Sequence, residues 1–194
     1  MEFVKENVGV MLDFFVRDVF DNVASDEFLF ELFCKYFSDE ILHRSFFASK
    51  LYLSDEEKTL QYSGKNTVEP LFEYTLLIKN QESRHRKRYY AEKAANFSIV
   101  HPIIHPELGS NKDFYISSAS NFYSTVSANS DFSEVSDFFD FLASLTGDMV
   151  YGLEKIIDNI KQDGTLSLNK IYQSLILDYS MELEESRKES LAKK

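Results

Sequence analysis

The sequence predicts a mainly α fold, an irregular bundle of six to eight helices, with room for a small β element within 60–120. Three observations carry that expectation. Only 6 Gly and 3 Pro occur in 194 residues, which leaves few breakers and favours long helices. Apolar residues recur at three- and four-residue spacing along most of the chain. The 18 Phe, with no Trp, can fill a core without bringing polar atoms that need partners. The length suits one domain with a sizeable core, which we place at 1–181. The charged stretch 182–194 reads as a solvated, frayed tail.

The first helix is marked by Val4, Val8, Met11, Phe15 and Val19, with a second strip of Leu12, Val16, Phe20 and Val23 beside it. Ser25-Asp26 supplies a cap for a helix over about 26–37. That helix is apolar on two sides: Leu29, Leu32, Phe33 and Tyr36 on one, Phe30, Cys34 and Phe37 on the other. Such a helix is central to a core or meets a partner, and a central position is expected. Ser38-Asp39 reads as the cap of another helix reaching about Lys50, and Ser54-Asp55-Glu56-Glu57 as a further start. Ser63-Gly64-Lys65-Asn66 is a turn.

Residues 70–96 fit one long helix, although Phe72, Tyr74, Leu76 and Ile78 also alternate as a strand would. The two prolines of His101-Pro102-Ile103-Ile104-His105-Pro106 predict extended backbone there. The Ser- and Asn-rich segment 109–130 reads as a long connection with one short strand. Helices are expected at about 131–145 and 147–162, closed by Asp163-Gly164, and a last one from about Ser167 carrying Leu168, Ile171, Tyr172, Leu175 and Tyr179.

A single cysteine, Cys34, excludes an internal disulfide and a cysteine-rich zinc site; among its apolar neighbours it reads as a buried, inert thiol. No apolar run reaches membrane-spanning length, and the N-terminus carries acids where a signal peptide has bases. The expectation is a soluble, cytoplasmic protein with no membrane partner.

Charge is segregated. The formal net charge is -11, yet residues 79–93 carry six Lys/Arg against two Glu, a local +4 that leaves -15 for the remainder. At its centre is Arg84-His85-Arg86-Lys87-Arg88, followed by Tyr89 and Tyr90. On one long helix, Glu82 would pair with Arg86 and Arg88 with Glu92, while His85 would face the core. Arg84, Arg86, Lys87, Arg88, Tyr89 and Tyr90 are therefore the candidate anion or partner site, suited to a carboxylate cluster or a sister subunit. A nucleic-acid contact, with the tyrosines stacking, is the alternative, disfavoured by the overall negative charge.

Glu40-x-x-His43 and Glu82-x-x-His85 match four of the six ligands of di-iron bundles, but Glu40 falls in a first helical turn and the cations around Glu82 oppose a dication. His101 and His105 lack a third ligand apart from Glu107. Phosphate-loop, His-Glu-x-x-His and Gly-x-Ser-x-Gly signatures are absent. These features point away from catalysis, with no cofactor. They favour an acidic helical adaptor, inhibitor or immunity-type protein that covers a basic partner, with self-association as a variant.

Overall fold

The computed structural model describes residues 2–47, 69–105 and 112–163. They form seven α-helices and one π-helix, with no strand among them. In order these are α1 (Glu2–Val19), α2 (Glu27–Tyr36), the π-helix (Phe37–Phe47), α3 (Glu69–Lys79), α4 (Arg84–Ile104), α5 (Lys112–Ala128), α6 (Ser133–Ser144) and α7 (Thr146–Asp163). The mainly α multi-helix bundle expected from the sequence is what forms. The expected helix start at Ser54, the turn at Ser63, the Gly164 cap, the last helix and the tail lie outside the described residues.

Helix α4 is the hub, packing against α3, the π-helix, α5 and α7. It serves because its inner face is small: Ala91, Ala94, Ala95 and Ser98 are buried, so neighbours can approach its backbone closely. Bulk comes from around it. Leu12 and Val16 of α1, and Phe20 just after its end, are buried as the second strip predicted, and α7 adds Met149, Leu153, Ile156 and Ile160. The rings of Phe20, Phe33 and Phe37 lie within 5.8 Å of one another, joining α1 to α2. The observed Asp26 cap accepts a hydrogen bond from Leu29 N at 2.8 Å. Cys34 is buried, and desolvation pushes its thiol up to about 11.

Four expectations are corrected. Ser38-Asp39 starts no new helix: Phe37 keeps helical angles, and α2 runs straight into the wider π-helix. That winding keeps Phe37, Ile41, Leu42 and Phe46 in the core. Residues 70–96 are two helices, because Asn80–Ser83 turn the chain and Ser83 is extended before α4. Helix α4 continues through His101 and Pro102. Proline there loses only one hydrogen bond near the helix end. The His101 ring, buried, stacks on Phe97 at 4.6 Å and lies 5.2 Å from Tyr115, which holds the turn in place.

The segment 112–128 is helix, not connection. Tyr115, Ala119, Tyr123 and Val126 bury a helical strip, and the hydroxyls that suggested a loop find acceptors. Ser120 Oγ donates to Ala143 O of α6 at 2.9 Å, and the Ser127 and Ser136 hydroxyls bond at 2.8 Å.

Candidate functional site: an acid-rimmed apolar face

Helix α1 buries one side and leaves another unpartnered, with Val10 68% and Phe14 64% exposed. Helix α2 does the same, with Phe28 77% and Leu32 36% exposed. The central position expected for α2 therefore holds for Phe33 and Cys34 but not for this edge. In each helix the two apolar residues are four apart, so they stand one above the other.

A guanidinium fixes the two rows relative to each other. Arg17 Nε donates to Asp13 Oδ2 at 2.7 Å, while Nη1 and Nη2 grip Glu31 Oε1 and Oε2 at 2.5 and 2.7 Å. Asp13 stands one turn from Val10 and next to Phe14 in sequence, and Glu31 one turn from Phe28 and next to Leu32. The clamp thus brings both rows to one side of the α1–α2 pair. Arg17 in turn holds the exposed Glu31 carboxyl below the usual carboxylate range. Beside the clamp opens a cleft of about 540 Å³, lined by Phe28, Leu32, Lys35, Asp39 and His43 among others.

The cleft itself carries Asp13, Glu31 and Asp39 with Arg17 and Lys35, a slight excess of acid. The stretch of chain that builds it is more acidic, with seven Asp/Glu from Val10 to Asp39 against Arg17 and Lys35. Arg17 is already engaged by two carboxylates, and burial holds His43 below its ordinary range despite nearby Asp39, so it adds little positive charge at neutral pH. Asp39 is exposed and has no ion-pair partner among the described residues.

The basic segment stands elsewhere, at the tip of the α3–α4 hairpin. Arg84 opens α4; Arg84, His85 and Arg86 are exposed, Lys87, Arg88 and Tyr90 half-buried, and Tyr89 52% exposed. Neither expected intrahelical pair forms. Glu82 precedes the helix, and Glu92 turns inward, so that among the described residues Arg86 and Arg88 have no carboxylate within ion-pair distance. Only Arg84 has one, Asp131 at 4.0 Å, and His85 faces solvent rather than core. Lys93 Nζ lies 5.8 Å from the centre of the Tyr89 ring.

Glu92 ends instead in a buried polar set that pattern reading did not find. Tyr36 O–H lies between Glu92 Oε1 at 3.2 Å and Asn96 Oδ1 at 3.0 Å, and Tyr123 O–H donates to Asn96 Oδ1 at 2.8 Å. Asn96 is 2% exposed. Burial raises the Glu92 carboxyl and both phenols above their ordinary values. The only signal in the sequence was the i,i+4 spacing of Glu92 and Asn96 inside an alanine-rich face.

Glu40, His43, Glu82 and His85 do not converge. Glu40 pairs with Arg44 at 2.6 Å, His43 lines the α1–α2 cleft, and Glu82 and His85 are exposed at the hairpin. His101 and His105 have ring centres 5.0 Å apart, and among the described residues no group of three His, Cys, Asp or Glu is placed to hold a metal. No helix of the described residues is long and apolar enough to cross a membrane.

The fold and this face define a helical bundle with a charged, partly apolar surface. Compared with models of known families, with curated proteins and with solved structures, the chain has no match.

Proposed function

We propose that this chain is a non-enzymatic binding protein of the adaptor, inhibitor or immunity type, whose α1–α2 face covers a basic segment of a protein partner. The observation that carries the reading is the exposed Val10–Phe14 and Phe28–Leu32 rows standing within an acidic surround. Exposed aromatics are efficient anchors once desolvated, and an opposite-signed rim speeds encounter and sets orientation. A cytoplasmic setting goes with a chain whose one cysteine is buried.

The test is affinity capture from the source cell with the wild-type chain and with Phe14→Ser/Phe28→Ser. Both side chains are solvent-facing, so the fold should persist. A stoichiometric basic protein retained by wild type and lost by the variant is expected. Identical captures by both would refute the assignment of the face.

A second reading, association with nucleic acid through Arg84, Arg86, Lys87 and Arg88, draws support from Arg86, which is exposed and has no carboxylate within ion-pair distance among the described residues. Charge reversal of Arg84 and Arg86 should then abolish salt-sensitive oligonucleotide binding; unchanged binding excludes the site.

A further inference from the structure

The molecule carries two exposed surfaces of opposite sign, each with its own apolar element. On α1–α2, Phe14 and Phe28 stand among carboxylates. On the hairpin, Tyr89 stands one turn from Arg86 and from Lys93, with Phe72 of α3 also 61% exposed. None of the cleft's lining residues belongs to the hairpin, so the two surfaces do not meet within one copy at the cleft.

We infer that the chain docks on itself head to tail, the Arg84–Tyr89 start of α4 of one copy seating in the α1–α2 cleft of a second. The occupant is set by charge complementarity on both sides. Among the described residues Arg86 has no carboxylate within ion-pair distance, and Asp39, which shares the cleft lining with Lys35 and His43, has no cation within that distance. Placing the first against the second satisfies both at once, while Tyr89 covers Phe28 and Leu32. A cleft of about 540 Å³ falls within the range that encloses a drug-sized ligand, enough for a tyrosine ring and an adjoining guanidinium. The net charge of -11 opposes association at long range, but salt at physiological strength screens it beyond about 8 Å while leaving the contact pairs close.

Such a contact uses two different patches. It is heterologous, so a dimer still has one free basic segment (the Arg84–Arg88 knot) and one free cleft, and the assembly grows with concentration. The inference rests on the α1–α2 face being a protein-docking surface.

That geometry gives a complementation test by sedimentation velocity, from micromolar to millimolar chain. One variant, Arg84→Glu/Arg86→Glu, removes the knot and keeps the cleft. The other, Phe28→Ser/Asp39→Lys, removes the cleft and keeps the knot. All four positions are exposed, and circular dichroism with thermal melting verifies folding. Wild type should sediment faster as concentration rises, and each variant alone should stay monomeric. Their equimolar mixture should form a heterodimer that grows no further. A monomeric wild type, a variant that associates as wild type does, or a mixture that stays monomeric overturns the inference. If wild type is monomeric yet captures a basic partner through Phe14 and Phe28, self-docking alone falls; if the complementation succeeds and capture fails, only the partner assignment falls.

Discussion

Gly152 of α7 lies directly beneath the ring of Phe20: a Cβ built on it would overlap Cζ and come within 2.5 Å of Cε1. Phe20 cannot yield easily, since it is 4% exposed and its ring is 5.0 Å from Phe33 and 4.7 Å from Phe37. This contact seats the end of α1, and with it the Val10–Phe14 row, on the bundle.

Gly152→Ala should therefore destabilise the protein by about 1–3 kcal/mol in chemical denaturation, the usual cost of overpacking. The sign is diagnostic, because helix propensity alone would favour alanine by about 1 kcal/mol. Phe20→Leu should relieve the clash, making the double mutant less destabilised than the two single costs combined. A stabilised Gly152→Ala protein would show that α1 and α7 are not in this contact.

The buried polar set predicts an order of costs. Tyr123→Phe removes one hydrogen bond and should cost about 1 kcal/mol. Asn96→Ala removes the shared acceptor of Tyr36 and Tyr123, leaves buried hydroxyl groups short of partners, and should cost about 2–4 kcal/mol. Equal costs for the two variants, measured by urea unfolding, would contradict the shared-acceptor geometry.

Glu92 predicts a pH dependence. Burial, aided by Glu40, raises its carboxyl above the ordinary value, while the Tyr36 hydrogen bond opposes the rise. A raised carboxyl binds its proton more tightly in the folded state, so its contribution is most favourable at low pH. It is lost as pH climbs from about 4.3 through the raised value. Glu92→Gln keeps an acceptor for Tyr36 and carries no charge. The melting temperature of Glu92→Gln relative to wild type should thus increase from pH 4 to pH 7 and then level off. A difference that is flat, or that falls over this window, contradicts the assignment; the comparison cancels His43, which titrates in both proteins.

Cys34 should be silent to thiol reagents in the native protein. Its sulfur is buried and its pKa is pushed up to about 11, so thiolate is scarce at neutral pH and access is closed. Modification should occur at the rate of global unfolding and become rapid in denaturant. Prompt labelling of the folded chain would place α2 nearer the surface than the structure does.

Much of the fold was legible where apolar spacing and chemistry agree. The Leu12–Val16–Phe20 strip, the Asp26 cap and the paired helices α6 and α7 follow from period and capping alone. The errors share a cause, in that local signals were overridden by packing. Helix α5 hid behind its serines, although Tyr115, Ala119, Tyr123 and Val126 already had helical spacing. The α3–α4 break contains neither glycine nor proline, so Asn80–Ser83 gave little warning. The prolines predict extended backbone from His101, yet the burial of His101 and Pro102 carries α4 past Pro102.

The knot was recognised, but the fate of its partners was not, because only tertiary structure draws Glu92 toward Tyr36. Likewise, period alone cannot say that both apolar strips of α2 would turn inward at Phe33 and Cys34 while Phe28, which belongs to neither, and Leu32 are left exposed.

The α1–α2 face is tested most directly by amide chemical-shift mapping, titrating a synthetic amphipathic helix of leucine and lysine into the isotope-labelled chain. Binding on the α1–α2 face predicts saturable shifts clustered around Val10, Phe14, Phe28 and Leu32, abolished in Phe14→Ser/Phe28→Ser. Shifts scattered over acidic residues throughout the surface, unchanged by that double substitution, would contradict it.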